Sequence, residues 1–175
     1  MSRNILIAVM IIAVLTIQLS FIDPFTTGIA PISIILLFIA LLAFRLEIIP
    51  LLWWSFGIGA IHEIFSILPF GTFTIITVLT SVALYFLLNN VLTNKSLFPF
   101  VLLAIVGSAI YNLLLLLAST VFYAMNSIEV SLYQVPNLWT GILLQALING
   151  GAAFVLFLLI RLLTRRFQNQ FLVRN

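Results

Sequence analysis

Cysteine is absent from the 175 residues, histidine occurs once, and only 6% of the side chains are charged. Each scarcity closes off a chemistry. Without thiols there is no disulfide, no thiolate nucleophile and no cysteine-ligated metal. The single histidine, His62, would have to build a serine triad with Asp23, Glu63 or Glu129, the acids on its own side of the segment scheme, and no Gly-x-Ser-x-Gly elbow presents a serine. His62-Glu63 begins like His-Glu-x-x-His, but Ser66 stands where the second zinc ligand belongs. A glycine-rich phosphate loop is missing as well. The expectation is a non-enzymatic chain with no metal and no cofactor.

What is present is apolar surface, 64% of the residues, in runs longer than a water-soluble helix needs. A single integral membrane domain over residues 1–175 is expected, all-α, with six transmembrane helices at about 5–22, 28–44, 48–62, 72–92, 97–123 and 138–160. Residues 161–175 form a basic tail, in which Arg161 to Phe167 is expected to continue the last helix into the headgroups. Ser2-Arg3 resembles the basic start of a signal peptide, but the apolar stretch behind it is long and Phe21-Ile22-Asp23-Pro24 lacks a small-residue cleavage pattern. The first segment therefore reads as a retained helix.

Charge fixes the orientation. Arg3, Arg45, Lys95, Arg161, Arg165, Arg166 and Arg174 all fall on one side of the six-segment scheme, whereas Asp23, His62-Glu63 and Glu129 mark the other breaks. Lys and Arg in short loops resist translocation, so both termini are expected in the cytoplasm. Arg161, Arg165, Arg166 and Arg174 crowd the tail, where anionic lipid headgroups attract each by roughly 1 kcal/mol. That accounts for the net charge of +3 without nucleic acid as a partner.

With nearly every position apolar, periodicity cannot tell buried faces from lipid-facing ones, and the small and polar residues carry that information. Three stripes recur at a spacing of four: Ser55, Gly59 and Glu63; Ala104, Ser108 and Asn112; Gly141, Gln145 and Asn149. Small residues let helix backbones approach, and hydrogen bonds between helices hold a bundle that apolar burial alone does not drive together in lipid. These faces are expected to point inward. Asn112, Gln145 and Asn149 either bond neighbouring helices or line a path for a polar ligand.

Glu63 closes a third segment that is short for a ~30 Å hydrocarbon core. A carboxylate at bilayer centre costs ~3 kcal/mol on insertion scales, so it needs water, a cavity or a partner. Two readings stand: an acid solvated at the interface, or a hydrogen bond to the start of segment four beyond the Pro69-Phe70-Gly71 turn.

From Pro31 to about Leu117 the order of features resembles the MreD family of rod-shape-determining bacterial membrane proteins. Proline opens the second apolar segment, Arg45 marks an inner turn, and Trp53, Phe56, Gly57 and Gly59 follow. The run from Gly59 through His62 and Glu63 to Pro69-Phe70-Gly71 is similar to that family's glycine, acidic residue, spacer and Pro-x-Gly, with aspartate usual where this chain has Glu63. The resemblance implies a scaffold subunit of the cell-elongation and peptidoglycan-synthesis machinery in the bacterial cytoplasmic membrane. It further implies pairing with the single-span MreC and links to MreB, RodA and a penicillin-binding protein. It also implies an architecture similar to the substrate-binding subunits of energy-coupling-factor vitamin transporters. That second family supplies the alternative function. Its members typically carry small-x-x-x-small pairs on the first helix, whereas Ala8 and Ala13 here are five apart and off one face.

Overall fold

The computed structural model describes residues 9, 11–13, 16, 18, 32–66, 68–92, 96–125, 128, 132–134 and 136–171, with 163–171 described by backbone alone. All regular structure among them is helical. The amino-terminal helix, α1, is described at residues 9, 11–13 and 16, where the Thr16 hydroxyl donates to the Ile12 carbonyl at 2.8 Å. Five helices follow with defined bounds: α2 (Ile34–Arg45), α3 (Ile48–Glu63), α4 (Thr72–Asn90), α5 (Leu97–Ala124) and α6 (Leu138–Phe171), with a 3-10 turn at Leu132–Gln134 before α6. Three stretches are long and apolar enough to cross a membrane: Thr72–Asn90, Leu97–Ala124 and Leu138–Leu162.

Segments three, four and five begin at the expected residues 48, 72 and 97 and end within two residues of the expected positions. Segment six begins at the expected residue 138, and its helix runs on past residue 160 into the basic tail as expected, ending at Phe171. Nothing between Leu138 and Phe171 interrupts it, since this stretch contains no proline.

Segment two departs most. Its helix starts at Ile34, not at 28, and residues 28–31 lie outside the described set. Ile32 and Ser33 are not helical, and Ser33 in extended conformation is the N-cap, its Oγ accepting from the Leu36 amide at 3.4 Å. A hydroxyl cap three residues ahead of that amide defines the helix start. The first turn of α2 therefore begins at Ile34, three residues after Pro31 in the sequence. The twelve residues of α2 rise only about 18 Å, well short of a ~30 Å core.

Packing explains why so short a helix is stable. Ile35 to Ala40 and Leu42 to Phe44 are all buried, so α2 is covered on every side. It touches α3, α4, α5 and α6 and sits at the centre of the bundle. Around it the other four form two antiparallel hairpins, α3–α4 and α5–α6, with α4 against α5. Phe100 on α5 joins the hairpins to the centre, its ring edge-on to Phe44 of α2 at 5.5 Å and tilted against Phe157 of α6 at 6.1 Å.

Candidate functional site

Two polar clusters stand out against this apolar packing. The first ties the ends of the α3–α4 hairpin. At the start of α4 the N-cap position is Gly71, which has no side chain to offer and takes a φ of 97°. The first-turn amides of a helix have no acceptor within it. Here Glu63 supplies one from the last turn of α3: Oε2 accepts from the Thr74 amide at 2.9 Å and the Thr74 hydroxyl at 3.0 Å, and Oε1 lies 3.4 Å from the Phe73 amide. A carboxylate at a helix N-terminus also meets the favourable end of the helix dipole. Only 5% of Glu63 is exposed.

The rest of the stripe works with it. One turn earlier, Gly59 brings α3 so close to α4 that an added Cβ would sit 2.6 Å from the Thr74 Cα. Two turns earlier, the Ser55 and Ser81 hydroxyl oxygens are 2.6 Å apart. The Pro69 carbonyl accepts from the Thr72 hydroxyl at 2.6 Å, fixing the turn between the helices. His62 points elsewhere: half-buried, its ring stands edge-on to Phe73 at 4.5 Å between centroids.

The second cluster is deep in the bundle. Asn112 Nδ2 donates to Gln145 Oε1 and to the Ser108 carbonyl, and Asn149 Nδ2 donates to Ser108 Oγ at 2.8 Å. Ser108 Oγ in turn donates to the carbonyl of Ala104, which is also buried. Asn149 is wholly buried, and its Oδ1 accepts from the Ser33 amide at 3.0 Å, at the N-terminus of α2. The next amide, Ile34, donates to Gln18 Oε1 at 2.9 Å, from the segment containing α1. The Ser33, Ile34 and Leu36 amides at the tip of α2 are thus matched by side chains from three parts of the chain.

The structure brings two of the three stripes together directly, α5 against α6, while the stripe on α3 engages α4. Gly141 is half-buried, and the tight approach on α6 falls instead at Gly150, where an added Cβ would lie 2.7 Å from Ile105 Cγ1. Gly107, likewise not singled out from the sequence, lies against Leu84, 3.1 Å from where its Cβ would be. Their position beside Ser108 and Asn149, within the same small-residue context, was the available signal. Gln18, Ser33, Ser81 and Thr74 were also missed, because their partners lie on other segments and several of these bonds involve backbone amides. Arg161 is exposed on α6; the side chains of Arg165 and Arg166, and Arg174 altogether, lie outside the described residues.

Chemically, these clusters consist of matched donors and acceptors. Among the described residues every buried side-chain nitrogen or oxygen has a hydrogen-bond partner, and no three His, Asp or Glu residues gather within metal-binding range. Compared with family models, with curated proteins and with solved structures, the chain matches none of them.

Proposed function

We propose that this chain is a multi-pass scaffold of the bacterial cytoplasmic membrane, with six transmembrane segments and both termini inside, serving the cell-elongation and peptidoglycan-synthesis machinery. The observation that carries the scaffold reading is the use made of the polar side chains. Glu63, Ser55, Ser108, Asn112, Gln145 and Asn149 each bond a neighbouring helix or the end of one, which builds a rigid bundle rather than a receptive site. The assignment to cell elongation rests on the MreD-like run from Pro31 to about Leu117. In it, Glu63 takes the place of the family's acidic residue, Gly59 its glycine and Pro69-Phe70-Gly71 its turn.

A scaffold of this kind offers its lipid-facing helices to another membrane-spanning helix and needs no bound cofactor. Purification from the source cells in mild detergent should therefore bring down a single-span protein of the MreC type, and depletion should round or widen rod-shaped cells. A stoichiometric vitamin or metabolite in the purified protein, with cell shape unchanged on depletion, would turn the assignment to the binding subunit of an energy-coupling-factor transporter.

A further inference from the structure

The hydrogen bonds described above sort into sets. Ser55 to Ser81 and Glu63 to Thr74 lie inside the α3–α4 hairpin, while Asn112 to Gln145 and Asn149 to Ser108 lie inside α5–α6. At Leu84 against Gly107, where the hairpins meet, the contact is apolar. The central helix α2 has only apolar and alanine side chains from Ile34 to Phe44, so its flanks present no directional bond to any neighbour. Its tip differs. There, Asn149 of α6 holds the Ser33 amide and Gln18 holds the Ile34 amide. At its other end α2 passes through Leu46 and Glu47 straight into α3.

We propose that the buried tip of α2 is a lock that fixes the position of one hairpin relative to the other. Apolar helix surfaces slide with little change in contact energy, which is how shear motions between packed helices arise. A backbone amide inside a bundle gives a position that sliding cannot preserve, because moving it away from its acceptor leaves it unsatisfied. Asn149 is bound to Ser108 through Nδ2 and to Ser33 through Oδ1, so it couples the α5–α6 hairpin to the helix that leads into α3–α4. With the lock closed the bundle is one body; with it open, α2 and the α3–α4 hairpin shift against α5–α6. Asn149 is thus a positioning residue for the whole assembly.

The test is pulsed electron paramagnetic resonance on the full chain in lipid nanodiscs, with nitroxides on introduced cysteines, the chain having none of its own. Labels at the exposed positions Leu79 and Leu147 report across the hairpins; Phe56 with Leu79, and Leu117 with Leu147, report within them. Asn149→Ala should raise a second population in the Leu79 to Leu147 distance roughly three- to fivefold, the factor for one hydrogen bond in a bundle interior. Both within-hairpin distances should stay as they are. Ser55→Ala, which removes the bond to Ser81 inside α3–α4, should not produce the second population. If Asn149→Ala does not fold, Asn149→Ser carries the same test, since its shorter side chain cannot hold Ser108 and Ser33 together. Distances that stay fixed across all three pairs, or that broaden equally in all three, would overturn the proposal.

Discussion

Glu63, Gly59 and Gly71 make one joint by three different physical means, and substitutions separate them. Glu63→Leu removes the acceptor of the Thr74 amide, a loss of about 1–3 kcal/mol for an unsatisfied buried donor. Glu63→Gln keeps an oxygen that can occupy the Oε2 position. Thermal unfolding in detergent should show a marked drop for the leucine variant and a small one for glutamine, and equal tolerance of both would mean the carboxylate is merely solvated. At Gly59 the obstacle is steric: an added Cβ meets the backbone of Thr74, which cannot turn aside as a side chain would. Gly59→Ala should therefore lower stability by roughly 1–3 kcal/mol. Gly71 has open space around an added Cβ but a φ of 97°, so Gly71→Ala should cost only the ~1–2 kcal/mol of a left-handed L-residue, and a β-branched Val more.

The polar and small residues of segment three could be read from the sequence because they stand out at a spacing of four in an apolar background. Their individual partners could not be read, although the start of segment four was one of the two readings for Glu63. Thr74 engages Glu63 through its hydroxyl and its backbone amide alike, and the amide is one that any residue at that position would present.

The α5–α6 hairpin contains a natural contrast at the scale of the element. Gly150 faces Ile105 at a distance that admits no Cβ without displacement, while Gly151, the next residue, has nothing within 4 Å of one. Gly150→Leu should force the helices apart and destabilise the protein by roughly 1–3 kcal/mol. Gly151→Leu should be neutral or stabilising by up to about 1 kcal/mol, because it replaces a poor helix former on an exposed face. Chemical denaturation of the two variants side by side checks this, and similar losses in both would show that α6 is not seated as described.

Helix α2 shows where reading elements from sequence failed. Residues 28–44 form an unbroken apolar run apart from Pro31 and Ser33, and a proline is at home in a first turn, so the run looked like one helix. Ser33 was the competing start signal, and the N-cap hydroxyl decided it. Nothing local distinguished the two, because burial on all sides leaves α2 without an amphipathic pattern. The end of α6 was more legible: Arg161, Arg165 and Arg166 announce a change of solvent, which a helix can pass through without stopping, and this one continues to Phe171.

For the molecule as a whole, the proposed six-segment topology makes a prediction that the absence of cysteine renders simple to check. Single substitutions Phe25→Cys and Glu129→Cys should react with an impermeant thiol reagent added to intact cells. Lys95→Cys and Gln170→Cys should react only after the membrane is opened. Labelling of position 95 from outside would break the scheme, since Lys95 is its basic marker between segments four and five.

The tip of α2 also sets an order of events during synthesis. Asn149 follows Ser33 by 116 residues, and at roughly 5–20 residues per second the ribosome delivers it on the order of ten seconds later. Gln18 is at hand from the start for the Ile34 amide, but the Ser33 amide must find an interim acceptor in water, in headgroups or in the insertion machinery. A twelve-residue helix that rises about 18 Å is also too short to settle across the bilayer unaided. The Asn149 bond to the Ser33 amide can therefore form only once residue 149 has been made, so this contact at the centre of the bundle waits for the final hairpin.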